Sequence, residues 1–219
     1  MTWSLKLGDV TRGLIYMHDQ GVIHGGLRGV RFRDPLSQSC TQLTGHKANI
    51  LVNHSGHACL AGFGQVTVVS NQPITTPSTV TGDAIQWMSP ELIDPRNVNL
   101  EESRPTTRSD CYALGMVIYE VLSEKAPFAP IEGTAVISKI VDGGRPVKPR
   151  GREGTRFTEG LWRMLEDCWK PQPDDRPSLD TVLGYLQDGG KPSAPPRRGR
   201  TITFLHKAFN FTAGKPHGS

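Results

Sequence analysis

The sequence predicts a mainly α-helical domain, α+β overall, carrying one small β-hairpin. Three observations predict it. Apolar residues recur at helical spacing in several separate segments. One of these, from about Asp110 to Ser123, is apolar on most sides and so belongs at the centre of the fold. Two short apolar runs, Ile50–Val52 and Ala58–Leu60, flank Asn53-His54-Ser55-Gly56, a turn-forming stretch, and read as paired strands.

The elements follow in order. Leu7, Val10, Leu14 and Met17 give a first helix that ends at Gly21. Val22-Ile23 is a short strand, and the hairpin comes next. Residues 65–88 are rich in Thr, Ser, Pro and Gly and read as a long mobile loop closed by Ser89-Pro90-Glu91. The central helix carries Leu114, Val117, Ile118, Val121 and Leu122. Thr134 to Val141 forms a shorter helix. Thr158 caps a helix bearing Leu161, Leu165, Cys168 and Trp169, and Ser178 caps the last one, with Leu179, Val182, Leu183 and Leu186 on one face. Pro171 and Pro177 bound the break between them.

The 219 residues suffice for one domain with a tail. No apolar run approaches the length of a membrane span, and Met1-Thr2-Trp3-Ser4 opens no signal peptide, so a cytoplasmic protein is expected. Cys40, Cys59, Cys111 and Cys168 form no C-x-x-C pair and read as reduced thiols. The pI of about 9.0 comes from the tail. Lys191, Arg197, Arg198, Arg200, Lys207 and Lys215 face no acidic residue there, and removing these six charges from the net +4 leaves residues 1–189 at −2. The domain is therefore no general nucleic-acid binder, and residues 190–219 read as a disordered basic tail. Only that tail offers nucleic acid a contact.

Five motifs carry the chemistry. His24-Gly25-Gly26-Leu27-Arg28-Gly29 and Ala48-Asn49-Ile50-Leu51-Val52 form an interrupted pair, and Gly62-Phe63-Gly64 follows. Then come Trp87-Met88-Ser89-Pro90-Glu91, Ser109-Asp110-Cys111-Tyr112-Ala113-Leu114-Gly115, and Cys168-Trp169 followed by Arg176-Pro177-Ser178. In this order over residues 3–187 they resemble the C-terminal lobe of protein kinases of the tyrosine-kinase-like Ser/Thr group.

That resemblance implies ATP-dependent phosphoryl transfer to Ser or Thr in active relatives, with Mg-ATP as cofactor. It also assigns positions. Gly26 stands where an Asp accepts the substrate proton, and Arg28 where a Lys contacts the transferred phosphate. Asn49 matches a magnesium ligand, Leu51 lines the nucleotide floor, and Gly62 stands where an Asp holds magnesium. Leu27-Arg28, in place of Ala-Arg, points to Ser/Thr ancestry. Gly25 replaces an Arg that pairs with a phosphorylated activation loop, which argues against that switch. Structural positions also match. His24 and Phe63 fall in a stacked apolar column, Asp110 holds the catalytic-loop backbone, and Glu91 and Arg176 form a buried ion pair.

The departures point to inactivity. Loss of a general base alone costs about 10²–10⁴-fold. The sequence also contains no Gly-rich loop, V-A-I-K lysine or partner Glu, the parts of the N-terminal lobe that cover and align ATP. The chain is therefore expected to be an inactive, pseudokinase-like binding module that binds no cofactor and meets protein partners through the lobe surface, with no membrane role. The alternative is a fragment of a full-length Ser/Thr kinase. Gly26 and Gly62 fit evolved loss or sequence damage equally.

Val30–Lys47 interrupts the catalytic loop with eighteen residues. Removing it restores an unbroken H-G-G-L-R-G-A-N-I-L-V. It shows no periodicity or turn logic. Val codons begin GT and one Lys codon ends AG, so the segment reads as a translated in-frame intron, against a surface loop that lets the motif close beneath it. Elsewhere, His54, His57 and Cys59 lack a fourth ligand at suitable spacing for a metal. Trp162, Trp169 and Leu165 read as core, not as a ligand cage. Thr75, Thr76, Ser78, Thr79 and Thr81 offer hydroxyls for phosphorylation or mere flexibility.

Overall fold

A computed structural model of the chain describes residues 3–33, 40–42, 48–52, 56–62, 67–68 and 82–188. Helix α1 (Trp3–Asp19) buries Leu7, Val10 and Leu14 as the spacing predicts. Its inner stripe also takes Thr11, whose hydroxyl donates to the Leu7 carbonyl at 2.8 Å. That bond lets a polar residue sit inside a helix face at little cost. Met17 is only half-buried, and His18, four residues on from Leu14, points inward instead.

Strand β1 (Val22–Ile23) follows, then β2 (Val30–Arg33), β3 (Cys40–Gln42), β4 (Ile50–Val52) and β5 (Ala58–Leu60). The predicted β4–β5 hairpin is present, with Ile50 opposite Leu60. It belongs to a larger sheet in the order β3-β2-β4-β5, in which β2 runs parallel to β4 and pairs Val30 with Ile50 and Phe32 with Val52. The interrupting segment thus has strand content at its start and again at Cys40–Gln42, contrary to the patternless reading. Its alternation, Val30-Arg31-Phe32-Arg33, is too short to stand out in sequence, and its partner is non-local. Residues 34–39 and 43–47, the turn residues 53–55, and the tail lie outside the described residues.

The loop expected over 65–88 also needs correction at both ends. Strand β6 (Thr67–Val68) pairs antiparallel with β1, and Gly82–Trp87 is a 3₁₀ helix that buries Ile85 and Trp87. The Thr and Ser hydroxyls proposed for modification fall outside the described residues. After α2 (Pro90–Ile93) and a 3₁₀ turn (Pro95–Val98) comes α3 (Thr107–Ser123). It starts three residues before Asp110, because Thr106 and Ser109 cap each other's backbone N–H groups. From Ser109 to Ser123 every residue is buried, so α3 is the axis of the core.

Helices α5 (Gly151–Gly154) and α6 (Glu159–Cys168) pack against it, α4 (Thr134–Val141) against α2 and the Gly82–Trp87 helix, and α7 (Leu179–Gln187) against α1. Thr158 caps α6 at the Leu161 N–H (3.2 Å), and Ser178 caps α7 at the Thr181 N–H (3.3 Å). Trp169 is buried against Tyr119 and Trp162 in edge-on ring contacts, so these indoles are packing groups. No helix among the described residues is long and apolar enough to cross a membrane.

Candidate functional site

The turn after β1 brings His24–Gly29 over the N-terminal part of α3. Asp110, buried in the first turn of that helix, fixes it there. One carboxylate oxygen accepts the His24 N–H (2.9 Å) and the other accepts the Gly25 N–H (2.9 Å). The Nε2 of His18 lies 2.8 Å from the first of these oxygens. Asp110 thus meets the role the sequence implied. His18 is an addition that sequence reading missed, although its i+4 spacing from Leu14 marks it as inward-facing.

His24 is fully buried. Its Nδ1 accepts the Gly26 N–H at 3.2 Å, which puts the proton on Nε2, 3.1 Å from the Ala61 carbonyl that receives it. Burial holds its imidazole below the ordinary histidine range, although Asp110 nearby pulls the other way. The ring is thus a neutral strut between the loop and the end of β5.

Asn49 is held by its backbone and occupied by its side chain. Its N–H donates to the Arg28 carbonyl (2.8 Å), and its carbonyl accepts the Ala61 N–H (2.8 Å). Its Nδ2 donates to the Gly26 carbonyl at 2.5 Å. Gly62 lies against the same side chain, with φ near +76°. A Cβ at position 62 would meet Asn49 Oδ1 and come within 2.5 Å of its Cγ. The base position Gly26 and the two metal positions Asn49 and Gly62 thus lie against one another. Asn49 fills the space beside Gly62, and Gly26 contributes only backbone.

Arg28 lies half-buried in the same turn. Its Nε and Nη1 are buried and hydrogen-bond to nothing. Leu51 stands 41% exposed on β4 between buried Ile50 and Val52. The interruption does not disturb this geometry. A Cβ on Gly29 would lie 3.1 Å from the Ala48 Cα, so the two ends of the motif touch and the segment between them leaves and returns at one place. Phe63 lies outside the described residues, so its place in the stacked column is not described.

The ion pair is complete. Arg176 donates to Glu91 through both Nη atoms, at 2.6 and 2.7 Å. It also donates to the carbonyls of Arg108 (3.0 Å), Lys170 (2.9 Å) and Pro171 (3.2 Å), and its guanidinium lies 5.1 Å from the Tyr112 ring centroid. The Arg108 guanidinium in turn donates to the Arg176 carbonyl. A second buried acid, Glu120 on α3, accepts the Trp87 indole N–H at 3.0 Å. Position in the apolar helix gave no sign of that partner.

Comparison with known proteins agrees with this geometry. The family described as protein tyrosine and serine/threonine kinase matches residues 46–186. The chain belongs to the protein kinase family. It is 30% identical over 182 residues to cytokinesis protein sepH of Emericella nidulans, covering 83% of this chain and 11% of that protein. It is 26% identical over 182 residues to MAP3K epsilon protein kinase 1 of Arabidopsis thaliana, with the same two shares. Human receptor-interacting serine/threonine-protein kinase 3 is 28% identical over 183 residues, 81% of this chain and 31% of its own length. The chain thus spans about a tenth of the first two relatives and a third of the other. The kinase-family match begins at residue 46, beside the end of the interrupting segment.

Proposed function

We propose that this kinase-family chain transfers no phosphate and serves as a binding module built on the lobe scaffold. The observation that carries this reading is the closure of Asn49 onto Gly26 and Gly62. Magnesium needs oxygen ligands in octahedral array, and Gly62, the position expected to supply a carboxylate to it, supplies none. The residues present do not fit Mg-ATP, so no phosphoryl-transfer step is derived through it. A base for a substrate hydroxyl is likewise lacking at Gly26. What remains is a well-braced lobe, whose surface would meet a protein partner.

Purified protein incubated with labelled Mg-ATP and a general Ser/Thr substrate is expected to incorporate no label above a no-enzyme blank. Nor should Mg-ATP at millimolar levels raise its melting midpoint, although ligand at 100 times Kd would add about 2.7 kcal/mol. Incorporation that disappears in Asn49→Ala would overturn the proposal. A second reading, a piece of a longer Ser/Thr kinase, is favoured by the small share of its relatives that the chain spans. Transcript reads upstream of the Met1 codon that encode a Gly-rich loop and a V-A-I-K strand would establish it.

A further inference from the structure

Basic charge gathers in one strap on the surface. Between residues 147 and 156, Lys148, Arg150, Arg152 and Arg156 face Glu153 alone, a net +3 within a domain whose sum is −2. The strap joins α4 to α6 and holds only the single turn α5, none of whose residues is buried. Buried Pro146 and Phe157 anchor its two ends. Between those anchors the fastenings are polar. Lys148 pairs with Glu159 at 2.5 Å, Lys125 with Glu153 at 2.9 Å and Arg156 with Glu124 at 2.6 Å, all open to solvent. Arg156 also donates to the Leu122 carbonyl (3.0 Å), and the Tyr119 hydroxyl donates to the Val147 carbonyl (3.1 Å). Solvent-open pairs hold weakly, so the strap can lift locally while its anchors stay in the core.

Thr155 stands exposed in this strap, and its hydroxyl donates to the Arg152 carbonyl of the same turn at 2.7 Å. That local bond is released when the turn opens. Arg152 and Arg150 lie three and five residues ahead of it. Both are exposed, and neither takes an ion pair among the described residues. Other exposed hydroxyls are placed differently. Thr107 has Arg104 three residues ahead, but it is locked into the first turn of the seventeen-residue α3. Thr158 caps α6, and its oxygen accepts the Leu161 N–H. Among the described residues, Thr155 alone joins an exposed hydroxyl, two arginines at these offsets and a backbone outside any long element.

From this arrangement we propose that Thr155 is a phosphorylation site for a separate, arginine-directed Ser/Thr kinase. Such an enzyme reads cations ahead of the acceptor hydroxyl with acidic groups of its own, and Arg150 and Arg152 supply those cations. The Thr155 hydroxyl oxygen attacks the γ-phosphorus of ATP held by that enzyme. The new O–P bond forms as the bond from phosphorus to the β-phosphate oxygen breaks. ADP leaves, and the hydroxyl proton passes to the modifying enzyme's base. The product sits in a positive field. About two negative charges are added to a net +3, which leaves the strap at about +1. Arg156, the next residue, gains a doubly charged alternative to Glu124. The proposal stands apart from the catalytic silence of this chain, because the transferring enzyme is another protein.

The test incubates the full folded chain with Mg-ATP and protein kinase B, an arginine-directed enzyme, and maps phosphate above a no-kinase blank by tandem mass spectrometry. A synthetic peptide of residues 147–158 is the freely accessible reference. Both should carry phosphate on Thr155. Phosphate on the peptide alone would overturn the proposal, because the strap would then stay shut in the folded chain. Phosphate on neither would overturn it too, as would phosphate placed chiefly elsewhere on the folded chain. Replacing both arginines, Arg150→Ala with Arg152→Ala, should slow modification of Thr155 by about tenfold or more. An unchanged rate would refute recognition through these cations. Thr155→Ala should leave the strap peptide free of phosphate. All three side chains are exposed, so the variants should melt with the unmodified chain. Should one fail to fold, the site mapped on the unmodified chain decides alone.

Discussion

Arg176 and Arg28 both carry buried guanidinium nitrogens, and they meet opposite conditions. Arg176 is gripped by a bidentate carboxylate, three carbonyls and an aromatic face. Arg28 has two buried nitrogens with no partner at all. The first belongs to the bracing side of the lobe, where Asp110 and Glu120 are likewise bonded. The second belongs to the cleft side, where Gly26 and Gly62 offer no carboxylate and Asn49 has folded into the gap. The contrast separates two demands on the same set of motifs. Holding the lobe together requires every buried charge to be answered, because an unanswered one is costly. Transferring phosphate requires charges held open for a ligand, and under the proposed reading these are the ones this chain lacks at Gly26 and Gly62.

The largest expected effect breaks the bracing side. Arg176→Met removes one partner of a buried pair and strands Glu91, at a cost of about 3–5 kcal/mol read as a drop in urea midpoint. Lys170, six residues earlier, pairs with Asp167 in solvent. Lys170→Ala should leave the urea midpoint where it was. Equal effects at the two sites would mean that the Glu91–Arg176 pair does not brace the fold.

This asymmetry also explains what was legible in the sequence. Asp110, Glu91 and Arg176 could be placed because their motifs are dense and their partners follow from a shared fold. The core helix was readable because α3 is apolar all round. Strand β2 was missed because its four residues make sense only beside Ile50–Val52, twenty residues away. The 3₁₀ helix with Ile85 and Trp87 was taken for loop because Thr, Ser and Pro dominate the residues before it. Closure of Asn49 over Gly62 was invisible as well. Sequence records that two carboxylates are gone, not which neighbour takes up the space.

A smaller effect titrates the strut between the two sides. Burial keeps His24 neutral in the folded state, with its proton affinity below the ordinary value of 6.5. The unfolded chain therefore binds more protons at that residue once the pH falls below this value. The His24 contribution is present above about pH 6.5 and is lost progressively as the solution is acidified. Melting curves between about pH 7.5 and about 5 should show the loss, and His24→Gln should show a shallower one. An unchanged slope in the variant would remove His24 as the source.

Arg28→Met sharpens the comparison, because it makes at the cleft the same change that Arg176→Met makes in the brace. Two buried nitrogens without partners are deleted and no carboxylate is stranded. Stability is expected to hold or to rise by up to about 1 kcal/mol, the opposite sign to the first variant. A loss on the scale of Arg176→Met would mean that the Arg28 guanidinium is answered in solution, and the two sides would no longer differ in kind.

The smallest effect is expected from deleting Val30–Lys47. Gly29 and Ala48 already touch, with the ideal Gly29 Cβ 3.1 Å from the Ala48 Cα, and a peptide joins Cα atoms about 3.8 Å apart. The join therefore asks little of the loop that Asp110 holds. Against that stands β2, which pairs with β4 and leaves its edge open when removed. These terms oppose each other, and the midpoint should move by no more than about 1 kcal/mol, with the shorter protein at least as soluble. Transcript reads across the locus supply the independent measurement, and they should join the Gly29 and Ala48 codons. If all abundant transcripts retain the segment and its deletion unfolds the domain, then β2 is native structure. The cleft side would then have gained a sheet strand where it lost its carboxylates.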